Sequence, residues 1–223
     1  MPGHLSDADT VLDDDIRTGA QALGQALTED QVNKLARLLE ALGHWNRRIN
    51  LTAIRDLDDM VQGHVLDSLA VRPHLEGRSV LDVGTGAGFP GLPLAIVEPD
   101  RRFTLLDSNG KKVRFVREMI GELGLENAEV VKARAEDYAP GARFDTVIAR
   151  ALATVPRLVE LTGHLVGEDG QLLALKGRHP AEELEATESL PEWDVSLTAL
   201  RVPGLESHER HLVTLRRKKA DTR

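Results

Sequence analysis

Residues 80–91 form the part of the chain that is best suited to holding a small ligand. Apolar, strand-favouring positions end at Val83, and Pro90 stands where a helix would begin. Four glycines lie between Val83 and Leu92, at Gly84, Gly86, Gly88 and Gly91. Glycine lets a backbone come close to a ligand, and the free N–H groups of a helix start can face a polar or anionic group. The stretch therefore predicts a strand, a ligand-binding turn and a helix.

Two cofactors compete for this turn on spacing alone. The pattern Gly86-x-Gly88-x-x-Gly91 fits the fingerprint that binds the pyrophosphate of a nicotinamide dinucleotide. The pattern Gly84-x-Gly86-x-Gly88, with Asp82 two residues upstream, fits the S-adenosyl-L-methionine turn of Rossmann-like methyltransferases better. An acid is unfavourable beside a pyrophosphate, whereas it favours the ammonium group of a methionine. A glycine-rich connection without a ligand is the third interpretation.

An acid follows the next predicted strand at the spacing of an adenosine site. Asp107 ends the segment 102–107 and lies 19 residues past Gly88. That is about the distance at which an acid at the end of a second strand reaches two ribose hydroxyls. Both cofactors predict this acid, so Asp107 supports an adenosine site without choosing between them.

The ends of later predicted strands carry further candidate residues. Ligands of an open α/β sheet bind beyond the carboxyl ends of its strands, and the loop 133–137 follows the third predicted strand. We expect Ala135 and Glu136 in this loop to face an adenine, and Arg134 to face an anion. Arg150 and Lys176 each end one of the next two strands. Packing explains two cations at neighbouring strand ends poorly, so we interpret Arg150 and Lys176 as functional.

Alternating strand-like and helix-like segments position these residues. We predict an α/β fold with a seven-stranded, mostly parallel sheet whose last two strands pair as an antiparallel edge. Residues 1–75 are expected to be an acidic tail and a helical extension packed on a main domain of residues 76–223. Thr28 and Gln31 form a capping-box signature, and Ser108 is expected to cap a helix. A lone helical histidine is more often structural, so His64 receives no role.

The charge of the chain is unevenly distributed. The net charge is −8, but residues 1–30 hold seven acids against one arginine, so the remainder carries only −2. A nearly neutral domain can still have a basic face. The cluster Arg216 to Lys219 is either a solvated end or an RNA contact. The segment from Trp45 to Ile54 mixes aromatic, amide and guanidinium groups, and is either a helix end or a nucleotide contact.

Composition limits the remaining possibilities. The chain has no cysteine, which excludes disulfides, thiolate metal sites and a cysteine nucleophile. The histidines lack good metal-ligand spacing, so we expect no metal. We find neither an apolar run of about 20 residues, as a membrane span requires, nor a secretory signal. We therefore expect a cytoplasmic protein with no membrane contact, and a monomer.

The motifs together resemble a known family. Its features are the turn with its Phe89-Pro90-Gly91 ending, the strand end Ala149-Arg150-Ala151, and the segments Trp45-Asn46, Asn50-Leu51-Thr52, His64 to Leu69, Asp107-Ser108, Lys111-Lys112, Arg134-Ala135-Glu136 and Leu175-Lys176-Gly177. Taken in chain order, these features resemble the bacterial glucose-inhibited division protein B family, the 16S ribosomal RNA guanine-N7 methyltransferases. The resemblance implies a Rossmann-like class I methyltransferase fold with S-adenosyl-L-methionine as cofactor and the small ribosomal subunit as partner.

The resemblance also implies site residues. It implies cofactor contacts at Gly84, Phe89, Ala135, Glu136 and Arg150, to which the turn adds Gly86 and the spacing argument adds Asp107. It implies RNA contacts along the edge that holds Asn50, Arg134 and Lys176.

The chemistry of guanine N7 agrees with the residues present. N7 carries a lone pair and no proton, so its methylation needs no general base, and Arg150 and Lys176 are expected only to position the reactants. An exocyclic amine methyltransferase usually has an Asn/Asp-Pro-Pro-aromatic loop where this chain has Ala149-Arg150-Ala151-Leu152. An NAD-linked oxidoreductase, a non-catalytic RNA-binding module and a small-molecule methyltransferase stay open as alternatives at this stage.

Overall fold

Apolar alternation and glycine-containing connections build seven strands. A computed structural model describes residues 7–218, apart from the side chains of residues 7–10, 188 and 189. The strands are β1 (Ser79–Val83), β2 (Arg102–Asp107), β3 (Ala128–Lys132), β4 (Phe144–Arg150), β5 (Val166–Lys176), β6 (Trp193–Ala199) and β7 (His211–Arg217). The sequence pattern predicts β2 at 102–107, β4 at 144–150 and β5 at 170–177. The first two have these bounds, whereas β5 runs from Val166 to Lys176.

The strands form one mixed sheet in the order β3-β2-β1-β4-β5-β7-β6. The first five strands pair in parallel, and β7 pairs antiparallel with both β5 and β6. The predicted mostly parallel sheet with an antiparallel edge is confirmed. The chain order reverses between β1 and β4, and a crevice for ligands opens beyond the carboxyl ends of the strands at such a point.

The helices lie on both faces of the sheet. They are α1 (Asp7–Ala22), α2 (Glu29–Asn46), α3 (Leu57–Met60), α4 (Asp67–Leu69), α5 (Gly91–Val97), α6 (Gly110–Glu122), α7 (Val155–Thr162) and α8 (Ala181–Glu185). A π-helical segment, Val61–Leu66, joins α3 to α4, and 3-10 turns span Arg72–His74, Gly163–Leu165 and Ala186–Ser189. The capping box of Thr28 and Gln31 is confirmed. The predicted Ser108 cap is wrong, since the side chain of Asn109 accepts the first free N–H groups of α6.

Successive side chains of each strand point to opposite faces of the sheet, so apolar residues form a core on both faces. On one face, the apolar side of α2 and the π-helical segment pack with α5 and α6 in one continuous cluster. Leu35, Leu39 and Leu42 of α2 are fully buried there, and each such side chain contributes about 1.5–3 kcal/mol. The other face packs on α7. The N-terminal helices therefore share a core with the sheet, while a domain boundary at residue 75 stays a prediction.

Arg216 and Arg217, the described arginines of the basic cluster near the end of the chain, contact other parts of the fold. Arg216 donates two hydrogen bonds to Glu76, at 2.6 and 2.7 Å, and one to Gln171 at 2.9 Å. The guanidinium of Arg217 lies 4.7 Å from the ring centroid of Trp193. Both arginines lie in β7, so this part of the cluster is not a frayed end, and an RNA contact there stays a prediction. Lys219 of the predicted cluster lies outside the described residues.

Candidate functional site

The glycine turn after β1 depends on backbone conformations that favour glycine. Gly84, Gly86 and Gly88 have φ values of +69°, +63° and +90°, in the left-handed region. A Cβ at Gly84 would lie 2.8 Å from Leu152 Cδ1, and one at Gly88 would collide with Leu92. At Gly86 the nearest atoms would be 3.9 Å away, so this side of the turn is open. The turn is thus closely packed on its inner side and accessible at Gly86 on its outer side.

Asp82 holds this turn from inside the protein. Its Oδ2 accepts hydrogen bonds from Thr85 Oγ1 at 2.6 Å and from the Gly91 N–H at 2.8 Å, while Oδ1 has no partner among the described residues. Burial is the main cause that raises the pKa of Asp82 to about 6. The carboxyl group is 1% exposed and borders neither cavity described below, contrary to the expectation that it faces a ligand. It connects the strand end to the start of α5.

Two cavities open on either side of the turn. The histidine cavity, of about 470 Å³, is bordered by His64, Phe89 and Lys176. The aspartate cavity, of about 620 Å³, is bordered by Asp107 and Glu136. Three residues border both, namely Gly84, Arg150 and Ala151. The two cavities therefore meet at the carboxyl ends of β1 and β4, where the chain order of the sheet reverses. A larger cavity, of about 1010 Å³, lies at the opposite ends of the strands.

The aspartate cavity brings together most of the residues that the sequence assigned to an adenosine. Asp107 accepts the Gly86 N–H at 2.9 Å through Oδ2 and the Asn109 N–H at 2.7 Å through Oδ1. Each carboxylate oxygen keeps a further acceptor site. The loop after β3 places Ala135 and Glu136 at the same cavity. Arg134 borders it too, with a side chain that is 69% exposed and 3.8 Å from Glu136.

Arg150 occupies the boundary between the cavities. Its Nη1 donates to the carbonyl of Gly63 at 3.0 Å and to Asp67 Oδ2 at 3.2 Å, and its Nη2 lies 3.4 Å from His64 Nδ1. Ala151, the next residue, has a φ of +50°, which L residues other than glycine rarely adopt. This bend after β4 turns the chain away while the Arg150 side chain extends toward the π-helical segment. Backbone strain of this kind is concentrated at functional sites.

His64 is buried in the wall of the histidine cavity. Its ring stacks on Phe89 with centroids 4.5 Å apart, and Nε2 lies 2.9 Å from Thr52 Oγ1. Burial, helped by the charge of Arg150, lowers the pKa of His64 to about 3. The imidazole is therefore neutral, so Nδ1 accepts from Arg150 and Nε2 donates to Thr52. His64 was expected to have no functional role, although the residue lies in one of the segments that carry the family resemblance.

Two charged residues of this site had no assigned role in the sequence analysis. Asp67 binds Arg150 through Oδ2 and Arg210 through Oδ1, the second at 2.9 Å from Nε. Arg210 comes from the connection before β7, and both residues border the histidine cavity. Asp67 lies in the segment His64 to Leu69 that carries the family resemblance, and this position could have identified it as a candidate site residue. The sequence did not identify Arg210 as a site residue, because it lies 143 residues from Asp67 in an ordinary polar stretch.

The three expected RNA contacts have different surroundings. Arg134 is a largely exposed cation at the rim of the aspartate cavity. Lys176 borders the histidine cavity, but its Nζ is held by Glu183 Oε2 and by the Ala153 carbonyl, each at 2.7 Å. Asn50 is exposed, accepts a hydrogen bond from Arg55 and borders neither cavity. The structure thus places Arg134 and Lys176 at the site and Asn50 outside it.

Within residues 7–218, no group of three or more histidine, aspartate or glutamate side chains is arranged to hold a metal ion. In the same part of the chain, none of the helices has the length and apolar character to cross a membrane.

Known proteins resemble this chain over most of its length. The family model described as GidB, rRNA small subunit methyltransferase G, matches residues 31–213. A ribosomal RNA small subunit methyltransferase G from Aeromonas salmonicida (strain A449) is 48% identical over 193 residues, which cover 85% of this chain and 90% of the relative. The protein of the same name from Marinomonas sp. (strain MWYL1) is 45% identical over 207 residues, covering 92% and 98%.

Solved structures resemble the fold. A SAM-dependent methyltransferase from Aquifex aeolicus has a TM-score of 0.53 at 23% identity, covering 70% of this chain and 92% of its own. A complex of DhpI with SAH has a TM-score of 0.56 at 16% identity, covering 84% and 96%. These similarities confirm the Rossmann-like class I methyltransferase fold that the resemblance implied.

Proposed function

Since the chain belongs to the GidB family of small-subunit rRNA methyltransferases, we propose that it transfers a methyl group from S-adenosyl-L-methionine to N7 of a guanine in 16S rRNA. The observation that carries this proposal is the family match over residues 31–213, which includes both cavities and the turn between them. Membership makes the protein an enzyme, and it does not favour an NAD-linked oxidoreductase or a non-catalytic module.

The residues around the turn fit the proposed cofactor. S-adenosyl-L-methionine supplies a methyl group on a positively charged sulfur. The backbone of Gly86 is open to a ligand, with the Gly84 carbonyl and Lys112 Nζ as the nearest atoms, and Asp107 offers free acceptor sites for ribose hydroxyls. We propose that the cofactor is held by Gly84, Gly86, Phe89, Asp107, Ala135, Glu136 and Arg150. These residues line two cavities that join at Gly84, as a ligand with an adenosine end and an amino-acid end requires.

The chain's own residues then act by positioning. Guanine N7 has a lone pair and no proton, so no residue has to remove one. His64 agrees with this requirement, since it is neutral and both ring nitrogens contact other residues. Arg150 is fixed by three contacts at the junction of the cavities, which suits it to orient a ligand rather than to exchange protons. Alignment of reactants alone can be worth about 7–11 kcal/mol of barrier.

The three residues expected to contact RNA have different roles in this proposal. Arg134 is exposed beside the aspartate cavity, so it can bind a phosphate directly. Lys176 is already bound to Glu183 and to the loop after β4, so it shapes the wall of the histidine cavity. Asn50 is exposed beyond the cavities, where it can contact a more distant part of the same RNA. N7 of a stacked guanine lies in a deep, narrow groove, so a loop or flipped nucleotide is the expected target.

We also propose that the enzyme is a cytoplasmic monomer, with the N-terminal helices of residues 1–75 serving as an extension of the catalytic domain. A ribosomal RNA substrate supports the location. The large apolar side chains that are exposed in the described part of the chain are single and scattered, at Val11, Leu57 and Leu152, which supports the monomer.

A methyl-transfer assay tests the proposed function. Small ribosomal subunits from cells that lack this gene are incubated with the protein and S-adenosyl-L-methionine labelled in the methyl group. We expect label in 16S rRNA at one guanine, and strand cleavage there after borohydride and aniline treatment, which is selective for 7-methylguanine. Cofactor binding without transfer to RNA would support a non-catalytic module, and binding of NADH in its place would support an oxidoreductase.

A further inference from the structure

A groove with aromatic and basic walls lies between two helices outside the cavities described above. We call it the α2–α6 groove and define it by Trp45 and Arg48 at the end of α2 and by Lys111 and Arg114 at the start of α6. Its volume is about 710 Å³. Trp45 and Lys111 belong to segments that carry the family resemblance, yet the proposed mechanism uses neither residue.

The indole of Trp45 is a fixed and partly exposed surface. Its ring packs edge-on against Phe115, with centroids 5.5 Å apart and an interplanar angle of 64°. Phe115 is fully buried, so it anchors the indole to the core, while Trp45 itself is only half-buried. The guanidinium of Arg114 lies 5.8 Å from the ring centroid. An anchored aromatic ring beside a cation is a stacking surface for a base whose phosphate the cation can bind.

The cations of the groove are available for a ligand. Arg48, Lys111 and Arg114 are exposed and make no ion pair with the part of the chain that the structure describes. The two acids that border the groove, Glu118 and Glu122, lie further along α6. Three unpaired cations are therefore concentrated at one end of the groove in a chain with a net charge of −8. Such a local field attracts a polyanion.

The basic end of the groove adjoins the candidate active site. The chain passes from Arg48 to Leu51 and Thr52, which border the histidine cavity. Asn46 fixes that passage, since its Oδ1 accepts the N–H groups of Leu51 and Thr52 at 2.8 and 3.0 Å. On α6, Lys112 borders the aspartate cavity directly after Lys111. The residues that line the groove are thus close in sequence to residues that line both cavities.

We propose that the α2–α6 groove is a second docking surface for the substrate RNA, with a base stacked on Trp45 and phosphates bound by Arg48, Lys111 and Arg114. The proposal rests on the proposed function, because it assumes that RNA enters the cavities. An RNA strand combines the two features that the groove recognises, aromatic bases and regularly spaced phosphates. The groove thereby holds the nucleotides that flank the target guanine.

Charge reversal at the groove tests the proposal against a matched control. The groove variant is Arg48→Glu with Arg114→Glu, and the control is Arg102→Glu with Arg143→Glu, which changes the net charge equally at the opposite ends of the strands. For the groove variant we expect a KM for small subunits at least about tenfold higher, with kcat and cofactor affinity near normal. Two lost phosphate contacts should also reduce the slope of log affinity against log salt by about 1.5. The control should match the wild type.

Tryptophan fluorescence tests the stacking directly. The chain has two tryptophans, so Trp193→Phe leaves Trp45 as the single reporter. We expect 16S rRNA fragments to quench it, and Trp45→Leu, which keeps an apolar contact with Phe115, to weaken RNA binding about fivefold or more. Thermal melting of each variant shows that it is folded.

The outcomes separate this proposal from the proposed function. If the wild type methylates 16S rRNA and the groove variant behaves like the control, the groove proposal is overturned while the function stands. If the wild type transfers no methyl group, the function fails, and quenching and salt dependence still decide whether RNA occupies the groove. Equal quenching by an acidic peptide or by a mononucleotide would overturn the assignment to an RNA strand.

Discussion

The guanidinium of Arg150 and the carboxylate of Asp67 form an ion pair, with Nη1 3.2 Å from Oδ2, although 83 residues separate them in the chain. The other oxygen of Asp67 binds Arg210. One buried carboxylate therefore fixes two cations in the wall of the histidine cavity. It also ties the end of β4 to the helical extension, so the position of Arg150 depends on residues outside the sheet.

The substitution Asp67→Asn tests this dependence. The amide keeps the size of the side chain but lacks the charge that holds both arginines, and breaking a buried ion pair costs about 3–5 kcal/mol. We expect a lower melting temperature and, because Arg150 is displaced, a kcat reduced roughly 10- to 100-fold. Single-turnover methyl transfer at saturating cofactor and RNA measures the second effect.

A surface ion pair provides the control for Asp67. Glu76→Gln removes the charge from an exposed pair with Arg216, and such pairs contribute about 0–1 kcal/mol. Its kcat should equal that of the wild type. A normal kcat in a folded Asp67→Asn variant would show that Arg150 keeps its position without this carboxylate.

Substitution at Gly84 tests the cofactor turn. In Gly84→Val, a β-branched side chain would have to adopt a φ of +69° with its Cβ 2.8 Å from Leu152 Cδ1. We expect S-adenosyl-L-methionine binding, measured by calorimetry, to be lost. Gly121→Ala in α6 is the control, because a Cβ there meets nothing within 4 Å, and it should bind the cofactor normally. Retained affinity in Gly84→Val would mean that the turn does not hold the cofactor.

The sequence predicted features that depend on local patterns. The glycine turn, the strand ends at Asp107 and Arg150 and the capping box of Thr28 each follow from a few neighbouring residues, and the structure has all of them. The mostly parallel pairing of the sheet followed from the alternation of strands and helices. These predictions succeeded because turn geometry and strand alternation restrict the chain over short distances.

The contacts of individual charges could not be predicted in this way. Asp82 was expected to face a ligand, but its partners are the backbone of Gly91 and the hydroxyl of Thr85, inside the turn. Lys176 was expected to position the reactants and to contact RNA, but its ammonium group is held by Glu183 of α8. The partners of Asp82 depend on the three-dimensional path of the turn, and the pair of Lys176 with Glu183 depends on how the chain folds back after β5. Residue types and spacing do not specify either path.

Arg134 and Lys176 are predicted to differ in their effects on RNA use. Arg134→Ala removes an exposed cation, so the KM for small subunits should rise and cofactor affinity should stay normal. Lys176→Ala also frees Glu183 and the Ala153 carbonyl, so we expect a higher KM together with a lower melting temperature. Calorimetry, steady-state kinetics and melting curves distinguish the two. Unchanged RNA methylation in both folded variants would reject the assignment of a basic edge.

His64 and Asp82 are predicted to contribute to the pH dependence of stability with opposite signs. Burial lowers the pKa of His64 to about 3 in the folded state from an ordinary value of 6.5, so its contribution is fully present above 6.5 and is lost as the pH falls toward 3. Burial raises the pKa of Asp82 to about 6 from 3.8. Its contribution is present below 3.8 and is lost as the pH rises toward 6.

Between about pH 4 and 6 these two slopes, each about 1.4 kcal/mol per pH unit, cancel in the wild type. Asp82→Asn removes the falling contribution, so its free energy of unfolding should rise with pH more steeply than that of the wild type, by about 1.4 kcal/mol per pH unit. His64→Gln removes the rising contribution and should shift the slope by a similar amount in the opposite direction. Urea denaturation at several pH values in this window measures both slopes. Parallel curves for the wild type and Asp82→Asn would show that Asp82 is ionised in the folded protein, because only a carboxyl that stays protonated across this window produces the difference.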